Sequence, residues 1–201
     1  MNATVELPLF PLDVVLVPGA HLPLRIFERR YLDMVRECTA DDKPFGVVLV
    51  VQGKEPGEPA SHVRVGTEAR IRDFSTTQDG LLGVAARGER RFEVMSTTAR
   101  HDGLLVGALR PLDPEPPIAL PARFGLLADI VDGFMNSVGS DYPSFESADR
   151  DNAAWVSYRL TELLPLENAE KQALLELKDP FDRLQALLEV LPRFQTDAGD
   201  E

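Results

Sequence analysis

The sequence predicts an α+β protein in which a β-rich part precedes a helical part. Residues 1–112 hold short apolar runs separated by turn signals such as Asp79-Gly80. Beyond residue 113 the apolar residues instead recur with the spacing of one helix face. Between the two parts, PLDPEPPIALP places five prolines in eleven residues, which neither a helix nor a central strand accepts. We therefore predict a domain boundary near residue 113.

Seven apolar runs are the predicted strands of the first part, residues 1–112. They lie at 14–17, 22–27, 45–51, 63–74, 81–88, 90–98 and 104–109. Residues 63–74 alternate between apolar or small residues and polar ones, as in a half-buried strand, and Gly66 is a predicted bulge. One helix is predicted near 28–38, because its apolar residues share one face: Tyr31, Met34, Val35 and Cys38.

The opening stretch, LPLFPLDVVLVPGAHLPLRIFERRY at 7–31, is apolar enough for a core but is interrupted by four prolines. We expect Pro18-Gly19 to form a turn. The other three, Pro8, Pro11 and Pro23, are expected at strand starts, edges or bulges, where no ladder donor is needed. The apolar residues between them then fill a small, closed or half-closed β-structure.

The second part, residues 113–195, is predicted to be a helical bundle. Its apolar stripes are Phe124, Leu127, Val131 and Phe134; Val156, Leu160, Leu163 and Leu164; Leu174 and Leu177; and Phe181, Leu184, Leu188 and Leu191. Asp179 followed by Pro180 is typical of an N-cap and a first helical residue. Residues 196–201, TDAGDE, are predicted to be a frayed acidic tail.

Charge is concentrated in the second part. The formal net charge is -12, and residues 1–112 carry 14 basic and 15 acidic residues, whereas residues 113–201 carry 7 and 18. Such an acidic surface repels phosphate backbones and disfavours general nucleic-acid binding. One tight basic cluster is present, formed by Arg87, Arg90 and Arg91, and we interpret it as the solvated end of a hairpin rather than as a binding site.

No local sequence motif for catalysis or for metal binding is present. The histidines stand singly, and neither a phosphate-binding loop nor a nucleophile elbow occurs. Cys38, the single cysteine, is predicted to be a small buried residue. Without a signal peptide or a membrane-spanning run, we expect a cytoplasmic protein with no metal and no cofactor. A hydrolase site assembled by folding from separated residues stays an open alternative.

Four stretches together resemble one known family. They are the opening stretch at 7–31, VRVGTEARI at 63–71, ARGERRFEV at 86–94 and LLPLENAEKQALLELKDPFDRLQALLEVL at 163–191. Over residues 6–194 the chain resembles the N-terminal, substrate-binding domain of ATP-dependent Lon proteases, and more narrowly its free-standing bacterial members. The resemblance implies a PUA-like pseudo-barrel followed by a helical subdomain. It also implies no enzyme, because the AAA+ motor and serine-lysine protease of full-length Lon are not part of this chain.

The function that this resemblance implies is recognition of polypeptides. We expect a module that binds exposed apolar segments of unfolded proteins, or a partner such as a protease or chaperone acting in trans. Such binding needs an accessible apolar patch or an unpaired strand edge, and the candidate contacts are Phe10, Leu12, Leu24, Phe27 and Tyr31. The competing interpretation of each is a core residue. RNA binding through the PUA-like part stays an alternative, and an unpaired edge also allows homo-oligomers.

Overall fold

The computed structural model describes residues 4–51, 61–138 and 147–194. The chain divides into two compact units, Met1–Pro114 and Glu115–Glu201. The predicted α+β class is confirmed, because the described strands lie in the first unit and most of the described helices in the second. That the units are independent domains, with a boundary after residue 112, stays a prediction. The predicted tail at 196–201 lies outside the described residues.

The described part of the first unit is built from strands and one α-helix. In chain order they are β1 (Val5–Leu12), β2 (His21–Ile26), α1 (Arg29–Ala40), β3 (Phe45–Leu49), β4 (Val65–Thr76), β5 (Leu82–Ala99) and β6 (Leu105–Pro111). The strand order is β2-β5-β4-β3-β1-β6, and β5 also pairs with β6. The 18-residue β5 thereby closes β5, β4, β3, β1 and β6 into a ring. Among the described strands, β2 pairs with β5 alone and is the edge strand.

Apolar side chains fill part of this first unit with a buried cluster. Its members are Leu7, Leu9, Val48, Phe92, Val94, Leu105 and Leu109. The bulge predicted at Gly66 is wrong, because β4 changes its register on β5 between Thr67 and Ala69 and again between Ile71 and Asp73. Gly66 instead allows its neighbours to pack closely against the backbone of β4. A Cβ on it would collide with the carbonyl oxygen of Val47 and lie 2.8 Å from the ring of Phe92.

The strand predicted at 14–17 is wrong, since these residues form a bend and coil. The first strand comes earlier, in spite of its two prolines. β1 changes partner at Leu9, so that Pro8 pairs with β6 alone and Pro11 with β3 alone. Each proline therefore lies where β1 has a partner strand on one side only, which accommodates a residue without an N–H. Pro23 lies in the edge strand β2, which is one of the three kinds of position predicted for it.

The remaining predictions for the first unit concern α1 and β5. The helix predicted near 28–38 is confirmed, and the buried residues of α1 are the predicted Tyr31, Met34, Val35 and Cys38. The two strands predicted at 81–88 and 90–98 are a single strand, β5. Gly88 does not end it, because its missing Cβ leaves space for the carbonyl oxygen of Val17.

The second unit contains α2 (Gly125–Val138), α3 (Ala153–Leu163), α4 (Asn168–Glu176) and α5 (Pro180–Val190). Apolar residues of the predicted stripes, including Phe124, Leu127, Leu160 and Leu184, meet in one buried cluster. The predicted N-cap is confirmed, since the Asp179 carboxylate accepts a hydrogen bond from the Phe181 N–H. No helix within the described ranges is long and apolar enough to cross a bilayer.

A buried arginine connects the elements of the second unit. The side chain of Arg183 is fully buried. Its guanidinium donates hydrogen bonds to the Glu115 carboxylate, to the Ser157 hydroxyl and to the carbonyl oxygens of Leu174 and Leu177. α5 is thus joined to α3, to the end of α4 and to the segment that precedes α2.

Candidate functional site

A groove of about 700 Å³ opens in the first unit where β1 and β2 end and α1 begins. Its volume lies within the usual range of small-ligand sites. The five residues that the sequence nominates as contacts all line it: Phe10, Leu12, Leu24, Phe27 and Tyr31. The structure therefore brings the nominated side chains to one place, and their contact with a ligand stays a prediction.

These five side chains differ in their exposure. Phe10 and Tyr31 are 8% and 9% exposed and form the floor of the groove, with their rings stacked at 3.9 Å between centroids. Leu12 and Leu24 are half-buried. Phe27 is 69% exposed, the largest value among the exposed large apolar side chains of the described residues. The floor therefore belongs to the core as well as to the groove, whereas Phe27 is a surface side chain.

Charged residues that sequence reasoning missed also line the groove: Asp13, Arg25, Glu28 and Arg30. The guanidinium of Arg25 forms an ion pair with Asp79, in the turn between β4 and β5. Arg30 lies 2.7 Å from the Glu28 carboxylate and donates a 3.1 Å hydrogen bond to the Gly103 carbonyl oxygen. Position gave a signal for Glu28 alone, because it lies between the end of β2 and the start of α1.

Arg30 also contributes to the floor of the groove. Its guanidinium carbon lies 4.8 Å from the centroid of the Tyr31 ring, which is a cation–π distance. Burial raises the pKa of the Tyr31 hydroxyl, and the neighbouring Arg30 offsets part of that rise. The Tyr31 hydroxyl is consequently uncharged at neutral pH, and the positive charge of Arg30 beside it is balanced by the Glu28 carboxylate.

The arginine cluster of the sequence does not form one basic surface. Arg87 is exposed, Arg90 lies 3.3 Å from the Glu68 carboxylate, and Arg91 is buried. Our interpretation of the cluster as the end of a hairpin is wrong, because all three residues lie inside β5. A phosphate backbone needs several accessible cations on one face, and this cluster does not supply them.

Other chemistry finds little support in the described part of the chain. Within residues 4–51, 61–138 and 147–194, no three His, Cys, Asp or Glu side chains meet as a metal site would require. The prediction that Cys38 is buried is confirmed. Its sulfur lies 3.9 Å from the Pro44 carbonyl oxygen, and burial raises the pKa of the thiol to about 11.

Cys38 is expected to resist alkylation in the folded protein. Near pH 8 its thiol is protonated and buried, so iodoacetamide is expected to react at least about a hundredfold more slowly with native protein than with urea-unfolded protein. Mass spectrometry of timed samples measures both rates. Because the pKa of the thiol is higher in the folded state than in the unfolded state, the contribution of Cys38 to the stability of the folded protein depends on pH. This contribution is fully present below the ordinary pKa of 9.0 and is lost as the pH rises towards 11. Equal rates in the two states would contradict burial of the thiol.

Known proteins share the sequence pattern of this chain. The model for the substrate-binding domain of ATP-dependent protease La (LON) matches residues 6–193. The chain belongs to this family. The resemblance stated from the sequence is thereby confirmed.

Two solved structures share the fold of this LON-family chain. The Lon N-terminal domain protein from Xanthomonas campestris is 40% identical, with a TM-score of 0.77 over 92% of this chain and 98% of that one. The N-terminal domain of the Mycobacterium avium complex Lon protease has a TM-score of 0.64 over 92% of this chain and 97% of that one. At 16% identity, this second likeness shows the fold alone.

Curated relatives are longer proteins that carry this domain as one part. The Lon protease of Flavobacterium johnsoniae is 25% identical over 71% of this chain and 18% of its own length. The cereblon of Danio rerio is 29% identical over 51% of this chain and 24% of its own length. The LON peptidase N-terminal domain and RING finger protein of Schizosaccharomyces pombe is 27% identical over 94% and 45%. This chain therefore spans less than half of each.

Proposed function

We propose that this protein is a recognition module without catalysis of its own, and that it holds exposed apolar segments of other polypeptides in the groove. The observation that carries the proposal is the convergence of Phe10, Leu12, Leu24, Phe27 and Tyr31 on one open groove. Membership of a substrate-binding family supports a polypeptide as the class of ligand.

The shape of the groove sets the strength of binding. A volume of about 700 Å³ holds a few apolar side chains rather than a folded surface. An aromatic side chain buries about 150–250 Å² when fully covered, so Phe27 alone offers a large part of the available hydrophobic energy. Ordering a flexible chain opposes that gain, and we expect dissociation constants in the micromolar range or weaker.

Partners acting in trans follow from the same proposal. The Lon protease relatives carry this domain beside a much longer remainder of chain, which motivates a protease or chaperone as the partner of this module. The single cysteine suits a reducing compartment, and we place the module in the cytoplasm. Association through the edge of β2 would also permit homo-oligomers.

Substitution of Phe27 by serine is expected to weaken binding of an unfolded probe about tenfold, because it removes the exposed aromatic anchor. The probe is reduced, carboxymethylated lactalbumin labelled with a fluorophore, and its anisotropy is measured against protein concentration. Phe27 is a surface side chain, so the variant is expected to keep the fold.

Phe74→Ser is the matched control for Phe27→Ser. Phe74 is 44% exposed and lies near the end of β4, where it does not line the groove. Its substitution removes the same side chain and is expected to change the affinity less than about twofold. Equal losses in the two variants would show that the groove is not the site, and absence of binding by the unaltered protein would refute the proposed function.

A further inference from the structure

Along β2, the backbone N–H and carbonyl groups of successive residues point alternately towards β5 and towards the outer edge. One hydrogen bond shows which residues point to which side. The Gly88 N–H donates to the Ala20 carbonyl oxygen at 2.9 Å. The same antiparallel register then continues without a shift from His21 opposite Arg87 to Ile26 opposite Leu82. Hydrogen-bonded pairs alternate along such a ladder. The peptide groups of Leu22, Leu24 and Ile26 therefore face β5, and those of the residues between them face outward.

Pro23 occupies one of the outward-facing positions. Proline has no N–H, but at an outward-facing position this costs no hydrogen bond between β2 and β5. It does interrupt the row of N–H donors on the outer edge. Beyond Pro23 the edge offers the N–H and carbonyl of Arg25 and then the N–H of Phe27. Prolines at such positions are a known means of limiting uncontrolled pairing of sheet edges.

The donors that remain lie beside the groove. Leu24, Arg25, Ile26 and Phe27 all line it. No other described strand pairs with this edge of β2. A polypeptide in the groove thus runs next to backbone groups that can form a short ladder with it, while its alternate side chains meet the apolar floor.

The charges of the groove indicate what kind of segment fits. Asp13 and Glu28 balance Arg25 and Arg30 among the lining residues. Arg25 is paired with Asp79, and Arg30 with Glu28. A charged ligand side chain would have to compete with these pairs or enter an apolar floor, so the complementary ligand is uncharged.

We propose that the groove binds an uncharged, extended polypeptide segment that adds as a short strand to the outer edge of β2, with its ladder centred on Arg25 and ended by Pro23. This inference rests on the proposed function and specifies the conformation and charge of the ligand. Backbone pairing makes recognition tolerant of sequence, whereas the groove selects apolar side chains at alternate positions.

Amide hydrogen exchange tests this pairing residue by residue. The probe is an acetylated, amidated ten-residue peptide in which valine alternates with threonine, added at saturating concentration to the isotope-labelled protein. The amides of Arg25 and Phe27 are expected to exchange at least about tenfold more slowly with the peptide bound. The amides of Leu22, Leu24 and Ile26, which face β5, are expected to change little.

Pro23→Val supplies a second measurement, since it restores an outward-facing donor. The variant is expected to bind the same peptide several-fold more tightly, in line with one added ladder bond. Pro117→Val, at an exposed proline of the second unit, is the control and is expected to leave the affinity unchanged. Replacing the central valine of the peptide by lysine or by glutamate is expected to weaken binding in both cases.

Each outcome decides between distinct claims. Binding with slowed exchange at Arg25 and Phe27 supports the inference. Binding that perturbs Phe27 and Leu24 side-chain resonances without slowing those two amides overturns strand addition and leaves the proposed function standing. Tighter binding of either charged peptide contradicts the inference that the ligand is uncharged. Binding of unfolded lactalbumin without binding of the uncharged peptide overturns the inference, and failure of both to bind refutes the proposed function itself.

Discussion

Replacement of Arg183 by methionine is expected to lower the free energy of unfolding of the helical unit by about 4 kcal/mol. Methionine keeps much of the volume of the aliphatic stem and removes the charged donors. The expected effect is large because the arginine is fully buried and its hydrogen-bond partners lie on several separate segments.

The geometry around the Arg183 guanidinium accounts for this magnitude. The Nη2 atom lies 2.7 Å from Glu115 Oε1 and 2.8 Å from the Leu177 carbonyl oxygen. The Nη1 atom donates to Glu115 Oε2 at 3.1 Å and to the Ser157 hydroxyl at 2.9 Å, and Nε donates to the Leu174 carbonyl oxygen at 3.0 Å. The guanidinium also stacks 3.9 Å from the centroid of the Tyr158 ring.

Loss of Arg183 removes a positive charge that pairs with a nearly buried carboxylate. The Glu115 side chain is 9% exposed, and the Tyr158 hydroxyl remains its donor. Breaking one partner of a buried ion pair is far more destabilising than replacing both partners. We therefore expect the double variant Arg183→Met, Glu115→Gln to recover part of the lost stability.

Urea unfolding followed by tryptophan fluorescence measures this effect. The sole tryptophan of the chain, Trp155, packs against the buried cluster of the helical unit and reports its unfolding. Arg193→Met is the control, because Arg193 forms an exposed ion pair with Glu170, and its unfolding midpoint is expected to stay near that of the unaltered protein. Similar midpoints for the Arg183 and Arg193 variants would contradict the structural role assigned to Arg183.

The helical unit was the easier part to predict, because its signals are local. The apolar spacing of α2, α3 and α5 and the Asp179-Pro180 start of α5 lie within single helices. The Arg183 network was not predicted, since it joins residues up to 68 positions apart in the chain. The residues that flank an arginine in the sequence do not show whether its side chain is buried or exposed.

The β-rich unit shows why strand boundaries were harder to predict. β1 was missed because its prolines argue against a strand until the change of partner at Leu9 is known. β5 was divided in two between Gly88 and Arg90, although Gly88 lies inside the strand and leaves space for the carbonyl oxygen of Val17. Both errors come from long-range pairing, which a local pattern does not carry.

The groove was predictable in its apolar part and not in its polar part. Phe10, Leu12, Leu24, Phe27 and Tyr31 belong to one apolar stretch that the sequence singles out. The ion pair between Arg25 and Asp79 depends on the β4–β5 turn reaching β2, and the contact of Arg30 with Gly103 joins residues 73 positions apart. The composition of this stretch indicated that the site is apolar. That its charges are balanced by ion pairs could be seen only in the folded structure.

Substitution of Gly66 by alanine is expected to lower the stability of the β-rich unit by about 3 kcal/mol, although it adds a single methyl group. The new Cβ would overlap the carbonyl oxygen of Val47 and lie 2.8 Å from both the Phe92 ring and a methyl group of Val48. A backbone carbonyl in a paired strand cannot move aside as a flexible side chain can. β4 must therefore separate from β3, or the ring of Phe92 must leave its place in the buried cluster.

Gly133→Ala carries the same chemical change with the opposite expected sign. Gly133 lies inside α2, and a Cβ built on it meets no atom within 4 Å. Alanine there is expected to raise stability by roughly 0.5 to 1 kcal/mol through helix propensity. Hydrogen exchange measured separately on β4 and on α2 reports each unit by its own amides. If Gly66→Ala were neutral or stabilising, the space between β4, β3 and Phe92 would accommodate a methyl group. Close packing would then not explain the glycine at this position.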